Sequence, residues 1–243
     1  MKSEWFASWF DTPYYHILYK NRDHEEAQQF IDNLVAHLSP PPKAKILDLA
    51  CGKGRHSIYL AEKGFDLTGV DLSEASIQHA RQFETPYLSF FTHDVRAPFR
   101  TNYFDYIFNF FTSFGYFDQD RDHFKTLKNI ALGLQPKGIF VIDFLSVPFV
   151  LAGLKPKETK TIDGIEFFIE RVFEEGYIIK TISFTDKGQD FRFQEKVRGF
   201  QEADFLAYFE ELGLKHLQTF GNYDLEPYQS ADSPRLILIA QKL

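Results

Sequence analysis

Three acids and a pair of glycines stand where an α/β protein does its chemistry. Asp48 precedes Gly52-Lys53-Gly54 after one apolar run, Asp71 follows a second run, and Asp94 follows a third. In an open α/β sheet, ligands bind beyond the carboxyl ends of the strands. The glycines let backbone approach a ligand closely and open a helix N-terminus. Asp71 is placed to accept two hydrogen bonds from a ribose diol. Asp94 is placed to accept from an adenine amino group, with Val95 packing on the ring. A fourth run ends in Asn109-Phe110-Phe111-Thr112-Ser113-Phe114-Gly115-Tyr116-Phe117, aromatic and with polar groups suited to a reacting centre. Taken singly, Gly-x-Gly is common, and an acid after a strand is often a helix cap. In series at successive strand ends they point to a nucleoside-containing cofactor.

The loop chemistry narrows that cofactor. A dinucleotide site wants a third glycine at Gly-x-Gly-x-x-Gly, and Ser57 stands there. No Gly-Lys-Ser/Thr follows, so a P-loop is absent. Asp48 would repel a pyrophosphate. A cofactor carrying a cationic sulfonium and an ammonium group suits a carboxylate and aromatic faces better.

The elements that must position these residues follow from apolar periodicity. Strands are expected at 45–50, 65–70, 87–92, 103–110 and 139–144, with helices at 55–63, 74–82 and 121–134 between them. Such alternation means a doubly wound, mostly parallel sheet with right-handed crossovers. Residues 159–200 instead read as consecutive strands at 165–173, 177–185 and 191–198, joined by hairpin turns. A helix at 202–212 and strands at 214–223 and 235–242 rejoin the first scheme. Upstream, Trp5, Phe6, Trp9 and Phe10 share one helical face, and a second helix at 23–38 stops before Pro40-Pro41-Pro42. The expected organisation is an N-terminal helical lid (1–42), a cofactor-binding core (43–150), an antiparallel β insertion (151–201) and a C-terminal helix and strand pair (202–243).

Composition excludes other classes. The 243 residues carry a net charge of -7. Polynucleotide binding draws on a basic surface, and Lys155, Lys157 and Lys160 form only a short cluster. No apolar run approaches the roughly 18–20 residues of a membrane helix. Nucleic acid and membrane are therefore not expected partners. Cys51 is the one cysteine, and no Cys/His pair has metal-ligand spacing, so no metal is expected. One cysteine and no signal-like start suit a reducing, cytoplasmic setting. Aromatics make up 17%, with 28 Phe and 12 Tyr.

The stretch 46–57, Ile-Leu-Asp-Leu-Ala-Cys-Gly-Lys-Gly-Arg-His-Ser, resembles motif I of the class I S-adenosylmethionine-dependent methyltransferases. Gly69-Val70-Asp71-Leu72-Ser73 resembles the next motif, His93-Asp94-Val95-Arg96 the adenine-side motif, and Leu134-Gln135-Pro136-Lys137-Gly138 the turn before the fifth strand. Ala50 stands where many members have glycine. The resemblance implies a Rossmann-like sheet of seven strands. It also implies a site in which Asp48 faces the methionine amino group while Ala50, Gly52 and Gly54 admit the methionine portion. Asp71 would hold the ribose, Leu72, Asp94 and Val95 the adenine, and Phe110 the sulfonium end. The reaction implied is an in-line displacement of a methyl group by a nucleophile, which needs no covalent enzyme nucleophile. Cys51 then reads as a small loop residue.

The Tyr-x-x-x-Tyr-x-x-Arg spacing of Tyr15, Tyr19 and Arg22 puts both tyrosines on one helical face. A similar segment occurs in sugar N-methyltransferases, which implies a lid: tyrosines over the acceptor and Arg22 on the cofactor carboxylate. The other reading is an amphipathic helix packed on the core. Phe114 and Tyr116 are candidate substrate contacts. His93 and Tyr116, with His56 and His123, are the available bases, none singled out. The insertion has one apolar face that needs a cover, either the active-site mouth or a second subunit in a homodimer. The expected function is methylation of a small molecule, with an amine acceptor favoured. Arg55-His56-Ser57 also resembles tellurite-resistance methyltransferases, which keeps a thiol or chalcogen acceptor open. A nicotinamide-dependent oxidoreductase and a non-catalytic ligand sensor are the alternatives.

Overall fold

The protein is described here by a computed structural model covering residues 4–20 and 24–243. Its N-terminal segment is not one helix but two, α1 (Trp5–Trp9) and α2 (Pro13–Leu18). The break has a local cause. The Thr12 hydroxyl accepts from the Tyr15 N–H at 3.1 Å, and Pro13 sits in the first turn, so the chain restarts a helix there. Helix α3 (His24–Leu38) then runs up to the prolines and buries Phe30, Ile31 and Leu34.

The core alternates as its periodicity predicts: β1 (Lys45–Leu49), α4 (Arg55–Glu62), β2 (Asp66–Asp71), α5 (Glu74–Ala80), β3 (Leu88–Thr92), β4 (Phe104–Asn109), α6 (Asp120–Gly133) and β5 (Leu134–Leu145). Strand β5 begins at Leu134, inside the expected turn. Its extra residues are absorbed by a register shift against β4 between Phe104 and Tyr106. A short helix α7 (Val147–Ala152) leads to four strands: β6 (Lys157–Ile162), β7 (Ile165–Glu174), β8 (Tyr177–Asp186) and β9 (Gln189–Arg198). Helix α8 (Glu202–Glu211) and strands β10 (Leu214–Phe220) and β11 (Arg235–Lys242) complete the chain.

Among the described residues the strands form two sheets. The larger has seven strands in the order β10-β11-β5-β4-β1-β2-β3. Strand β11 pairs antiparallel with β5 and with β10, while β1 to β5 pair parallel. Parallel strands are buried on both faces, which is why these segments read as continuous apolar runs. One face packs on α3, α4 and α5 through Phe30, Leu60, Ile77 and Phe90. The other packs on α6 and α8 through Leu127, Ile130, Phe205 and Phe209. The chain leaves β1 toward β2 on one side and reaches β4 on the other. The ends of β1 and β4 thus flank a topological switch point, where a ligand crevice is expected.

The smaller sheet has the order β6-β7-β8-β9. Its apolar face is covered by the chain's own first helices. Trp9 and Leu18 pack with Phe167, Ile169, Ile182 and Phe184, and Trp9 lies 4.4 Å from Phe193 between ring centroids. The cover left open between a second subunit and the active-site mouth is therefore supplied by α1 and α2. On the opposite face Phe168 and Val172 remain exposed.

Candidate active site

A cavity of about 980 Å³ opens at the carboxyl ends of β1 and β4 and continues between α2 and the insertion sheet. Pockets of roughly 300–1,000 Å³ hold drug-sized ligands, so there is room for a nucleoside cofactor and a small second molecule.

The cofactor loop forms one end. Ala50, Gly52 and Gly54 all have positive φ, at 62°, 56° and 81°. The two glycines differ in role. A Cβ on Gly52 would meet nothing within 4 Å, so its open side faces the cavity. A Cβ on Gly54 would stand 2.5 Å from Phe90 Cζ, so Gly54 serves close helix–sheet packing and does not line the cavity.

Asp48 is 1% exposed and accepts from the Ser57 hydroxyl at 2.6 Å. Burial pushes its carboxyl up to about 6; the Ser57 hydrogen bond opposes the rise and the Asp71 charge adds to it. Asp71 accepts from the Ser73 and Gly52 N–H groups, each at 2.8 Å. Burial raises its carboxyl as well, against those two bonds. A carboxylate has about four lone-pair sites, so Asp71 keeps capacity for a diol. Leu72, 39% exposed, stands beside it. Loop, acids and open space fit a cofactor with a cationic head and a ribose.

Asp94 is placed differently. It does not line the cavity; Arg96 grips it through Nε at 3.0 Å and Nη2 at 2.6 Å, and Arg96 in turn pairs with Glu4. Burial favours a protonated Asp94, but the guanidinium prevails and holds the carboxyl below its ordinary range. Val95 packs behind the sheet and shares a separate cleft of about 20 Å³ with His93, whose Nε2 lies 2.9 Å from the Ala97 carbonyl. His93 is thus not brought to the cavity.

The aromatic wall begins with Phe110, which lines the cavity while being 3% exposed. Phe111 and Thr112 follow with φ of 56° and 62°. Strain of this kind persists only where surroundings over-determine it. Here they do. Buried Asp143 accepts from the Phe111 N–H at 2.8 Å through its carboxylate, and its carbonyl accepts from the Thr112 N–H at 2.9 Å. Arg235 Nε donates to the same carboxylate at 2.7 Å, and Arg235 Nη2 donates to Thr112 Oγ1 at 3.0 Å. His56 stacks on Phe111 at 4.6 Å. Tyr116 lines the cavity, donates its hydroxyl to the Thr112 carbonyl and packs on Trp5 and Phe10.

Two further expectations change. Phe114 does not face the cavity: it is 3% exposed and packs on His123, Phe200 and Phe205. His123 is fully buried, accepts from the Phe117 N–H at 3.2 Å, and is pushed down to about 4 by burial, so it is a neutral core histidine. Tyr15 and Tyr19 do line the cavity. Arg22 lies outside the described residues. The segment carrying the tyrosines is tied down on both sides: Asp11 accepts from the Ser73 hydroxyl, and Tyr14 donates to Asp186 at 2.9 Å.

Sequence reasoning missed Asp143, Arg235, Arg171, Lys180 and Glu195. Asp143 had a signal, an acid inside Val141-Ile142-Asp143-Phe144. Lys180 had another, standing in phase with Ile178 and Ile182 on an inward strand face.

The sheet order, the acid–glycine loop and the second acid define a nucleoside-cofactor site on a Rossmann-like fold. Residues 46–138 match the family described as "Methyltransferase domain". YqeM of Bacillus subtilis (strain 168), classed with the methyltransferases, is 34% identical over 218 residues, 84% of this chain and 86% of its own. The dTDP-3-amino-3,4,6-trideoxy-alpha-D-glucopyranose N,N-dimethyltransferase of Streptomyces venezuelae is 25% identical, over 83% of this chain and 88% of its own. An S-adenosylmethionine-dependent methyltransferase structure from Clostridium acetobutylicum ATCC 824 superposes with a TM-score of 0.79 at 22% identity, covering 94% of this chain and 96% of that one. The chain belongs to the S-adenosylmethionine-dependent methyltransferases. Its cofactor is S-adenosylmethionine. Among the described residues no helix is long and apolar enough to cross a membrane, and no cluster of His, Cys, Asp and Glu could hold a metal.

Proposed function

We propose that this methyltransferase acts on the amine of a small molecule in the cytoplasm. The observation that carries the reading is the lining of the cavity. Its acceptor side is bordered by Trp5, Phe10, Tyr15 and Tyr19, aromatic side chains suited to a small acceptor. The relative from Streptomyces venezuelae is an amino-sugar N,N-dimethyltransferase of similar length, which supports an amine.

When bound, S-adenosylmethionine supplies an activated methyl group for in-line displacement. The chain's own residues do the rest. Asp48 receives the ammonium and Asp71 the ribose diol, with Leu72 beside the adenine. Phe110 and Ala50 border the sulfonium end. Arg22 is assigned to the cofactor carboxylate; Asp94, held by Arg96 outside the cavity lining, would have to exchange an Arg96 contact to meet the adenine amino group. Tyr15, Tyr19 and Tyr116 border the acceptor. The aromatic roof excludes water and aligns the nucleophile, the main way such a site lowers its barrier.

Calorimetry with S-adenosylhomocysteine and NAD, followed by a panel of amine, thiol and hydroxyl acceptors, tests this. Binding of the first ligand and methylation of amines are expected. Binding of NAD alone would restore the oxidoreductase reading. Transfer only to thiols would move the acceptor class, and tight binding without any transfer would leave a ligand sensor.

A further inference from the structure

The cavity wall opposite the cofactor loop belongs to the insertion sheet. On its inner face β7, β8 and β9 present the apolar patch that α1 and α2 cover. Farther along, the same face switches to charge. Arg171, Lys180 and Glu195 lie in one row across the three strands, Arg171 paired with Lys180 and Lys180 with Glu195. All three line the cavity.

Two cations directly opposite on neighbouring strands repel. Their side chains are only 21% and 14% exposed, so solvent screens them poorly. Glu195 answers this charge incompletely. Its Oε1 accepts from Trp9 Nε1 at 2.8 Å and from the Tyr19 hydroxyl at 2.7 Å, and its Oε2 from the same hydroxyl at 2.9 Å. Lys180 Nζ stands 3.5 Å from Oε2, beyond the roughly 2.7–2.9 Å of a charge-assisted bond. Lys180 donates instead to the neutral Tyr19 hydroxyl. Burial lowers the Lys180 ammonium below its ordinary range despite Glu195, and Arg171 adds to the lowering. Arg171 is held by Glu158 at 2.7 Å. An apolar residue at 180 would continue the Ile178–Ile182 alternation without this cost. The cations stand where a ligand can repay it.

We infer that Lys180 and Arg171 form a subsite for an anionic group on the methyl acceptor, a carboxylate or a phosphate. The acceptor is then an amine carrying negative charge at the end remote from the cofactor loop. This rests on the reading of the cavity as a small-molecule amine site. Glu195 and Tyr19 set the ammonium in place, and the guanidinium supplies the second donor group.

The test uses the full chain saturated with S-adenosylhomocysteine. Calorimetry compares glycine and sarcosine (carboxylate arm) with inorganic phosphate and thymidine diphosphate (phosphate arm), and with ethanolamine as a probe lacking an anion. Wild type, Lys180→Met, Lys180→Arg and Arg171→Gln are measured. One anionic arm is expected to bind, and which arm names the source of the charge. Its affinity should fall about tenfold or more in Lys180→Met and recover in Lys180→Arg. S-adenosylhomocysteine affinity should hold within about twofold, the null expected for a group that does not touch the cofactor. The inference is overturned if neither arm binds, if ethanolamine binds as well as the anions, if Lys180→Met binds them as tightly, or if cofactor affinity falls in parallel. Failure of the wild type to bind S-adenosylhomocysteine at all would instead sink the underlying methyltransferase reading.

Discussion

Asp48 should hold cofactor at the expense of the fold, and Asp48→Asn should show both sides. The carboxylate is fully buried beside the Ser57 hydroxyl, and its value of about 6 compares with 3.8 unperturbed. Burial has therefore raised the folded-state value above the unfolded one. Between about pH 4 and 6 the folded chain keeps a proton that the unfolded chain has released. Stability from this group is present below pH 4, is lost as pH rises through 6, and levels off above it. The gap corresponds to about 3 kcal/mol at 1.36 kcal/mol per unit. Asp71 and Asp143, also raised by burial, tilt the profile the same way. Asparagine keeps the size and an acceptor for Ser57 and drops the charge. The ligand-free variant should gain about 1–3 kcal/mol in urea unfolding at pH 8, with the gain vanishing near pH 4. It should bind S-adenosylmethionine at least tenfold more weakly, having lost a charge-assisted bond to the ammonium. A variant that is less stable at pH 8, or a gain that persists unchanged to pH 4, would refute the electrostatic reasoning. Unchanged cofactor affinity would remove Asp48 from the site.

Other substitutions probe other parts. Asp143→Ala strips the buried carboxylate from half-buried Arg235 and from the Phe111 N–H; the cost should be about 3–5 kcal/mol, read from the urea midpoint. Gly54→Ala places a Cβ 2.5 Å from the Phe90 ring at a φ of 81°, so a loss of about 1–3 kcal/mol in thermal unfolding is expected. Arg22→Ala should weaken S-adenosylmethionine binding in calorimetry while leaving the melting temperature in place; unaltered affinity would take Arg22 off the cofactor.

What could be read ahead of the structure followed strong local signals. The core strands are apolar on both faces and bounded by turn residues, and each therefore appears within a few residues of its expected place. Asp48, Ala50, Gly52, Asp71 and Phe110 come together because strand ends in a parallel sheet converge by construction. The misses have physical causes. Strand β6 is an edge strand with Lys157 and Lys160 on it, and such charges, which guard an edge against pairing, also mask its period. The α1–α2 break rests on one hydroxyl and one proline ring. Phe114 and Phe110 are alike in sequence and equally buried, and the turn between them leaves Phe110 on the cavity wall and takes Phe114 to the opposite face of the sheet. The acceptor wall was the least legible part, because it joins residues near 10–20 to residues near 171–197. No local pattern records that pairing.

That pairing also sets an order of assembly. Trp9 and Glu195 are 186 residues apart, and Tyr19 and Glu195 are 176 apart. At a synthesis rate of about 5–20 residues per second, the first helices wait roughly 10–40 s before β9 emerges to receive them. During that interval the parallel strands of the cofactor half, 45–145, are in hand, while Trp9 and Leu18 have no insertion sheet to bury against. The helices that roof the active site are thus made well before the sheet that seats them.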